Sequence, residues 1–113
     1  MANSFVNKKV DLTTTSATTL YTVPDATTAI IKSILVSEDS GNADTITVTI
    51  TDTADAVFSL FKTKSISANG TLELLTAPLV LQQNEVLKVT AATANRLHVV
   101  LSALQSKPRE VIT

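Results

Sequence analysis

The chain has 113 residues, no cysteine, and nine basic against ten acidic residues for a net charge of −1; 44% of it is hydrophobic and 4% aromatic. This length and apolar content support one domain around one core. The missing thiols exclude a disulfide framework and a thiolate metal site, and the scattered, balanced charge excludes a field able to hold a nucleic acid.

With no Trp, and with Tyr21, Phe5, Phe58 and Phe61 as the whole aromatic set, the core must be built from Ile, Leu and Val. The two glycines, Gly41 and Gly70, are too few for a glycine-rich phosphate loop. Residues 1–10 lack the continuous apolar core of a secretion signal, and no apolar run approaches membrane-spanning length. The expectation is a chain made and soluble in a cytoplasm, with no membrane partner.

Residues 1–9 are polar with Phe5 and Val6 embedded, the composition of an arm that packs on a neighbour. Alternation begins at Val10-Asp11-Leu12. Residues 13–19 are a polar run too rich in Thr and Ser for a helix, and Leu20-Tyr21-Thr22-Val23 reads as a short strand stopped by Pro24, which opens a turn with Asp25. In residues 29–36 both phases carry aliphatic side chains, which predicts a central strand covered on both faces.

Residues 38–44 read as a hairpin loop leading into Thr45-Ile46-Thr47-Val48-Thr49-Ile50-Thr51. Here Ile46, Val48 and Ile50 take one side and the threonines the other, because side chains of an extended chain alternate with period two. A helix is excluded, since its β-branched residues would crowd and the apolar positions lack a spacing of three or four. After a turn over 53–56, residues 57–63 form a strand covered on both sides, with Phe58 and Leu60 opposite Val57, Ser59 and Phe61. Asn69-Gly70 is the most turn-specific dipeptide, and strands follow over 71–75, 78–81, 85–90 and 96–104.

Eight or nine short antiparallel strands at nearly regular spacing, with no amphipathic helix, predict an all-β fold: a single β-sandwich, jelly-roll-like or immunoglobulin-like. The domain spans residues 10–104, between an N-terminal arm (1–9) and a polar, proline-broken tail (105–113).

No constellation points to chemistry. His98 is the only histidine and lies between Leu97 and Val99; catalytic triads and zinc sites need oriented partners that the chain does not supply nearby. Asp39 with Asp44, and Asp52 with Asp55, flank loops without the ordered ligand spacing of a calcium loop, so they read as turn residues bonding their own backbone. Asn69-Gly70-Thr71 matches a glycosylation acceptor but reads as a turn. No Gly-x-Ser-x-Gly is present. The reading is therefore no enzyme, no catalytic, cofactor or metal site, and no small-molecule substrate. What remains is surface: Phe5, Val6, Lys8 and Lys9 in the arm, and Lys107, Pro108 and Arg109 in the tail, are candidates for linking subunits by strand addition.

Thr19-Leu-Tyr-Thr-Val-Pro24, the aliphatic run at 29–36, Gly70-Thr-Leu-Glu-Leu-Leu75, Pro78-Leu-Val-Leu81 and Glu85-Val-Leu-Lys-Val89 resemble small virion structural proteins of tailed bacteriophages, especially those of cyanobacterial and marine phages. The resemblance covers roughly residues 12–104. Where that pattern often has glycine, this chain has Asp25 and Asn84, which both tolerate turn geometry.

The resemblance implies a β-sandwich in a virion. Together with two arms and near-neutral charge, it leads to a non-enzymatic capsid decoration or cement protein bridging neighbouring capsid subunits, with the major capsid protein as favoured partner. A neck, tail, baseplate or fibre-adaptor module is the alternative. A receptor- or carbohydrate-binding module is a further one, weakened by the lack of Trp and the single Tyr21. A homo-oligomer is expected; a trimer at a capsid three-fold and a monomer on quasi-equivalent sites both fit.

Overall fold

The computed structural model describes residues 2–107. They form nine strands: β1 (Ala2–Asp11), β2 (Thr18–Thr22), β3 (Thr28–Glu38), β4 (Asp44–Thr51), β5 (Val57–Ile66), β6 (Thr71–Glu73), β7 (Leu79–Leu81), β8 (Val86–Ala91) and β9 (Leu97–Lys107). Sheet A has the order β1-β9-β3-β6, with β7 also paired to β3; sheet B has the order β2-β8-β4-β5. All pairs are antiparallel. β1 pairs β9, β2 pairs β8, β3 pairs β6 and β7, and β4 pairs β5. The first half of the chain is thus laid along the second in a two-sheet antiparallel β-sandwich.

β4 follows its sequence pattern residue by residue: Ile46, Val48 and Ile50 are buried and the threonines half-buried. The same alternation fills the space between the sheets with Leu12, Ile31, Ile34, Leu87, Val89, Leu97 and Leu101. Tyr21 is the one aromatic residue fully inside this core. Asn69, Asn84 and Asn95 hold positive φ angles of 55°, 63° and 65°, a region asparagine tolerates better than most residues. After Pro24 the left-handed residue is Ala26 (φ 54°), one position beyond Asp25.

Four expectations are corrected. The aliphatic run in β3 is not covered on both faces. Its register against β9 shifts between Ile31 and Ser33, so the buried phase is Ala29 and Ile31 before the bulge and Ile34 and Val36 after it, while Leu35 stays 39% exposed. One extra residue flips the alternation, and the two half-patterns together look like two apolar faces.

Residues 38–44 are not a hairpin loop, because β3 lies in sheet A and β4 in sheet B; they carry the chain across the sandwich. β5 is covered only in part and on one face, through Phe61 and Ile66. It is the end strand of sheet B, shifts register twice against β4, and leaves Val57, Phe58 and Leu60 exposed, with Phe61 alone of its aromatics packed on the core.

Residues 2–9, expected as an arm, belong to β1, which pairs with β9 through ten consecutive register positions from Ala2↔Lys107 to Asp11↔His98. The first part of the expected tail likewise continues β9, with Gln105 buried.

Candidate protein-binding face

β1 places four of the candidate residues on the edge of sheet A. Directly paired residues of an antiparallel ladder point to the same side, so Val6, opposite buried Ala103, and Lys8, opposite buried Leu101, face inward. Val6 packs on the core, whereas Lys8 is an exposed, inward-directed charge at a sheet edge. Phe5 and Lys9, opposite Leu104 and Val100, face outward. Lys107 lies across from Ala2 at the same end of the sheet. Pro108 and Arg109 lie outside the described residues.

Following the register across sheet A shows what Phe5 joins. Phe5 pairs with Leu104, Leu104 with Ile30, and Ile30 with Val80. These four side chains form an apolar row across β1, β9, β3 and β7 on the sheet's outer surface, ending in Phe5 (81% exposed) and Val80 (52% exposed). Polar rows lie on either side: Asn3, Ser106 and Thr28, and then Asn7, Ser102 and Ser33, with the charged Lys32 of the β3 bulge exposed between Ile30 and Ser33. The next row is Lys9, Val100, Leu35 and Glu73. The outer surface of sheet B differs: its register sets Thr47 beside Thr90, and Thr49 beside Lys88 and Ser59. An apolar row ending in an exposed aromatic, with flanks that are polar and uncharged apart from Lys32, has the kind of composition found in protein interfaces, where charge is depleted at the middle and aromatic anchors are enriched.

Sequence reasoning found Phe5 and missed Leu104, Ile30, Val80, Leu35 and Glu73. The available signal was aliphatic residues out of phase with the buried ones in their own strands, such as Ile30 beside Ile31 and Val80 beside Leu81.

Two carboxylates brace the framework. Glu73 accepts hydrogen bonds from the Ser33 hydroxyl, from Ile34 N–H at 2.8 Å and from Leu75 N–H at 3.2 Å. Burial opposes its ionisation, but these donors outweigh burial and hold its pKa below the ordinary carboxylate value. Its negative charge therefore stands at the β6 end of the outer row.

Glu38, 2% exposed, accepts from the Ser40 hydroxyl and from the N–H groups of Ser40 (2.8 Å), Gly41 (3.0 Å) and Asn69 (3.0 Å). Its burial would raise the pKa; the Ser40 hydroxyl and the Asn69, Ser40 and Gly41 amides bring it down to about 2. It ties the 39–43 connection to the 67–70 turn, a role for a residue read from sequence as ordinary loop.

The remaining polar candidates also take structural roles. His98 sits half-exposed between Asp11 (Nε2 to Oδ1, 3.2 Å) and Asp39 (Nδ1 to Oδ2, 3.5 Å). Asp44 accepts from Thr93 N–H at 3.1 Å, and Asp52 from Ala54 and Ala56 N–H, both at 2.9 Å, closing its own turn. Tyr21 is buried, so it offers no aromatic platform for a sugar. A second apolar feature, a cleft of about 490 Å3, opens between β5 and residues 72–79, lined by Leu60, Phe61, Leu72, Leu75 and Leu79.

No protein-family model and no curated protein matches the chain. Solved structures do. A chain of the acid-stable capsid structure of Helicobacter pylori bacteriophage KHP30 aligns with a TM-score of 0.56 at 13% identity, over 96% of this chain and 90% of that one. A chain of Bacillus endospore appendages, a family of disulfide-linked pili, aligns with a TM-score of 0.54 at 11% identity, over 96% and 93%. A chain of the cyanophage Pam1 capsid asymmetric unit aligns with a TM-score of 0.46 at 18% identity, over 94% and 85%. The fold of this chain is one it shares with chains of a phage capsid and of a bacterial pilus.

Proposed function

We propose that this chain is a non-enzymatic structural protein of a phage virion, a capsid decoration or cement protein joining neighbouring shell subunits. The observation that carries the reading is β1, an end strand paired on one side only among the described residues and without a register shift along its length. Bulges, prolines, short edges and edge charges, inward-pointing ones included, are what keep sheet edges from pairing; β1 has neither bulge nor proline, and its inward-directed Lys8 with Lys9 guards only its second half, which leaves residues 2–7 as the open stretch. Its first half is uncharged, and Lys8, Lys9 and nearby Lys107 favour an acidic strand as the added partner. The shared fold of the KHP30 capsid chain and the phage-like sequence words support the virion setting.

Mechanistically, each copy pairs its β1 edge with a strand of the shell, the major capsid protein being the favoured partner. Many small contacts made only to the assembled shell stabilise it by linkage. The test is quantitative mass spectrometry of purified particles. A copy number comparable to that of the major capsid protein is expected; a ratio far below it moves the protein to the neck, tail or baseplate, and absence from particles overturns the virion reading.

A further inference from the structure

The outer surface of sheet A is complementary to itself. Consider a two-fold axis parallel to the strands, running above the boundary between β9 and β3. It lays β1 of one copy over β7 and β6 of the other, and β9 over β3. Phe5 then meets Val80 of the second copy, and Leu104 meets Ile30. In the outer row, Val100 meets Leu35, and Lys9 meets Glu73. Both charged ends of that row find opposite charges, twice over by symmetry, and the apolar row closes on itself.

A two-fold axis along the apolar row would instead set Phe5 on Phe5 and slide the charged row off its counterpart. Charge complementarity therefore selects the first arrangement. Lys32, the extra residue of the β3 bulge, is exposed on this same face close to the axis, so the two copies' Lys32 form a like-charge pair that works against the two Lys9–Glu73 pairs unless their flexible stems splay outward to solvent.

We propose that the outer face of sheet A binds a second copy of this chain, as an isologous dimer packed sheet on sheet, through Phe5–Val80 and Lys9–Glu73 contacts between copies. Packed sheets keep their strand directions within about 30° and lie about 10 Å apart. Four strands about 4.8 Å apart and four rows about 6.8 Å apart make a patch on the order of 500 Å2. That is about two thirds of the ~800 Å2 per partner of a standard interface. The dimer is thus weak in dilute solution and forms where copies are concentrated. The β1 edges remain open on its two flanks, so it is bivalent toward a shell. The pairing rests on the surface geometry and not on the virion assignment.

The chain has no cysteine, so single thiols can report the geometry. Phe5→Cys and Val80→Cys chains, mixed in equal amounts at high concentration with a short bismaleimide, are expected to give mostly the mixed product. Two copies of residue 5 lie three strand spacings apart, about 14 Å sideways, beyond the linker's reach. Lys9→Glu in both chains replaces two ion pairs with two like-charge pairs and should lower the yield about tenfold. Homoproducts at parity with the mixed product, or a yield no higher than for Thr49→Cys on the outer face of sheet B, overturns the dimer. If that happens while the protein is abundant in virions, the virion reading stands; mixed product from a protein absent from virions sinks that reading and leaves the dimer.

Discussion

Gln105 Nε2 donates a hydrogen bond of 2.6 Å to the Tyr21 hydroxyl, and both side chains are buried. Gln105 belongs to sheet A and Tyr21 to sheet B, so this bond ties the two sheets through an otherwise aliphatic core. Tyr21→Phe removes the acceptor and leaves a buried amide unpaired, which costs about 1–3 kcal/mol. Urea unfolding should show that loss. Tyr21→Phe with Gln105→Leu should recover most of it, because removing both partners removes the unpaired group; a double variant no more stable than Tyr21→Phe would show that the bond is not what holds the pair.

Glu38 makes the fold sensitive to acid. Its folded pKa of about 2 lies below the ordinary 4.5, so the folded state favours the ionised form. The stability this contributes is complete above about 4.5 and is lost as pH falls from there through about 2. Glu73, with its pKa also lowered, acts in the same direction. Glu38→Gln should therefore be less stable at neutral pH and show a shallower decline between pH 5 and 2, read as unfolding midpoints across that range. An unchanged slope would mean that Glu38 does not carry the effect.

Thr63 holds φ 49° in the bulged part of β5, with its N–H donating to Thr47 Oγ1 at 3.0 Å. A β-branched residue is poorly suited to the left-handed region, which costs non-glycine residues roughly 1–2 kcal/mol. Thr63→Gly keeps the backbone donor and relieves that strain, less about 0.4–1 kcal/mol of added unfolded-state entropy. A small rise in thermal midpoint is expected; a clear fall would show that the Thr63 side chain contributes more than the strain it brings.

β1 offers a contrast between stability and surface. Deleting residues 2–9 removes Val6 from the core and uncovers the edge of β9, so the shortened chain should unfold more readily and aggregate. Phe5→Ser should change stability by less than about 0.5 kcal/mol, as at other exposed positions, and Leu101→Ala, at a fully buried site, should cost about 2–5 kcal/mol. Chemical denaturation of the three variants separates the cases. A large loss in Phe5→Ser would mean that the aromatic serves the monomer rather than an interface.

The class of fold is legible in the sequence alone. Period-two patterns in β4, β8 and β9, the proline stop at Pro24 and the turn at Asn69-Gly70 are local signals, because the side a strand residue faces depends on its own neighbours in the chain. Where one residue is added, as at the β3 bulge, the same rule misleads, because two short patterns out of phase read as a strand buried on both faces. Phe5 and the Lys8-Lys9 pair were legible as surface for a partner.

Which segments become neighbours is visible only in the folded chain. Residues 2–9 are polar enough for an arm, yet β9 offers them a ladder of hydrogen bonds along their full length, and they join the sheet. Residues 38–44 look like a hairpin, but the wrap sends their two strands to different sheets. Phe5, Ile30, Val80 and Leu104 are scattered over the chain and become one row only through three separate registers. Register is set by burying the opposite faces of those strands, so the exposed row is a consequence of core packing that no single stretch of sequence contains.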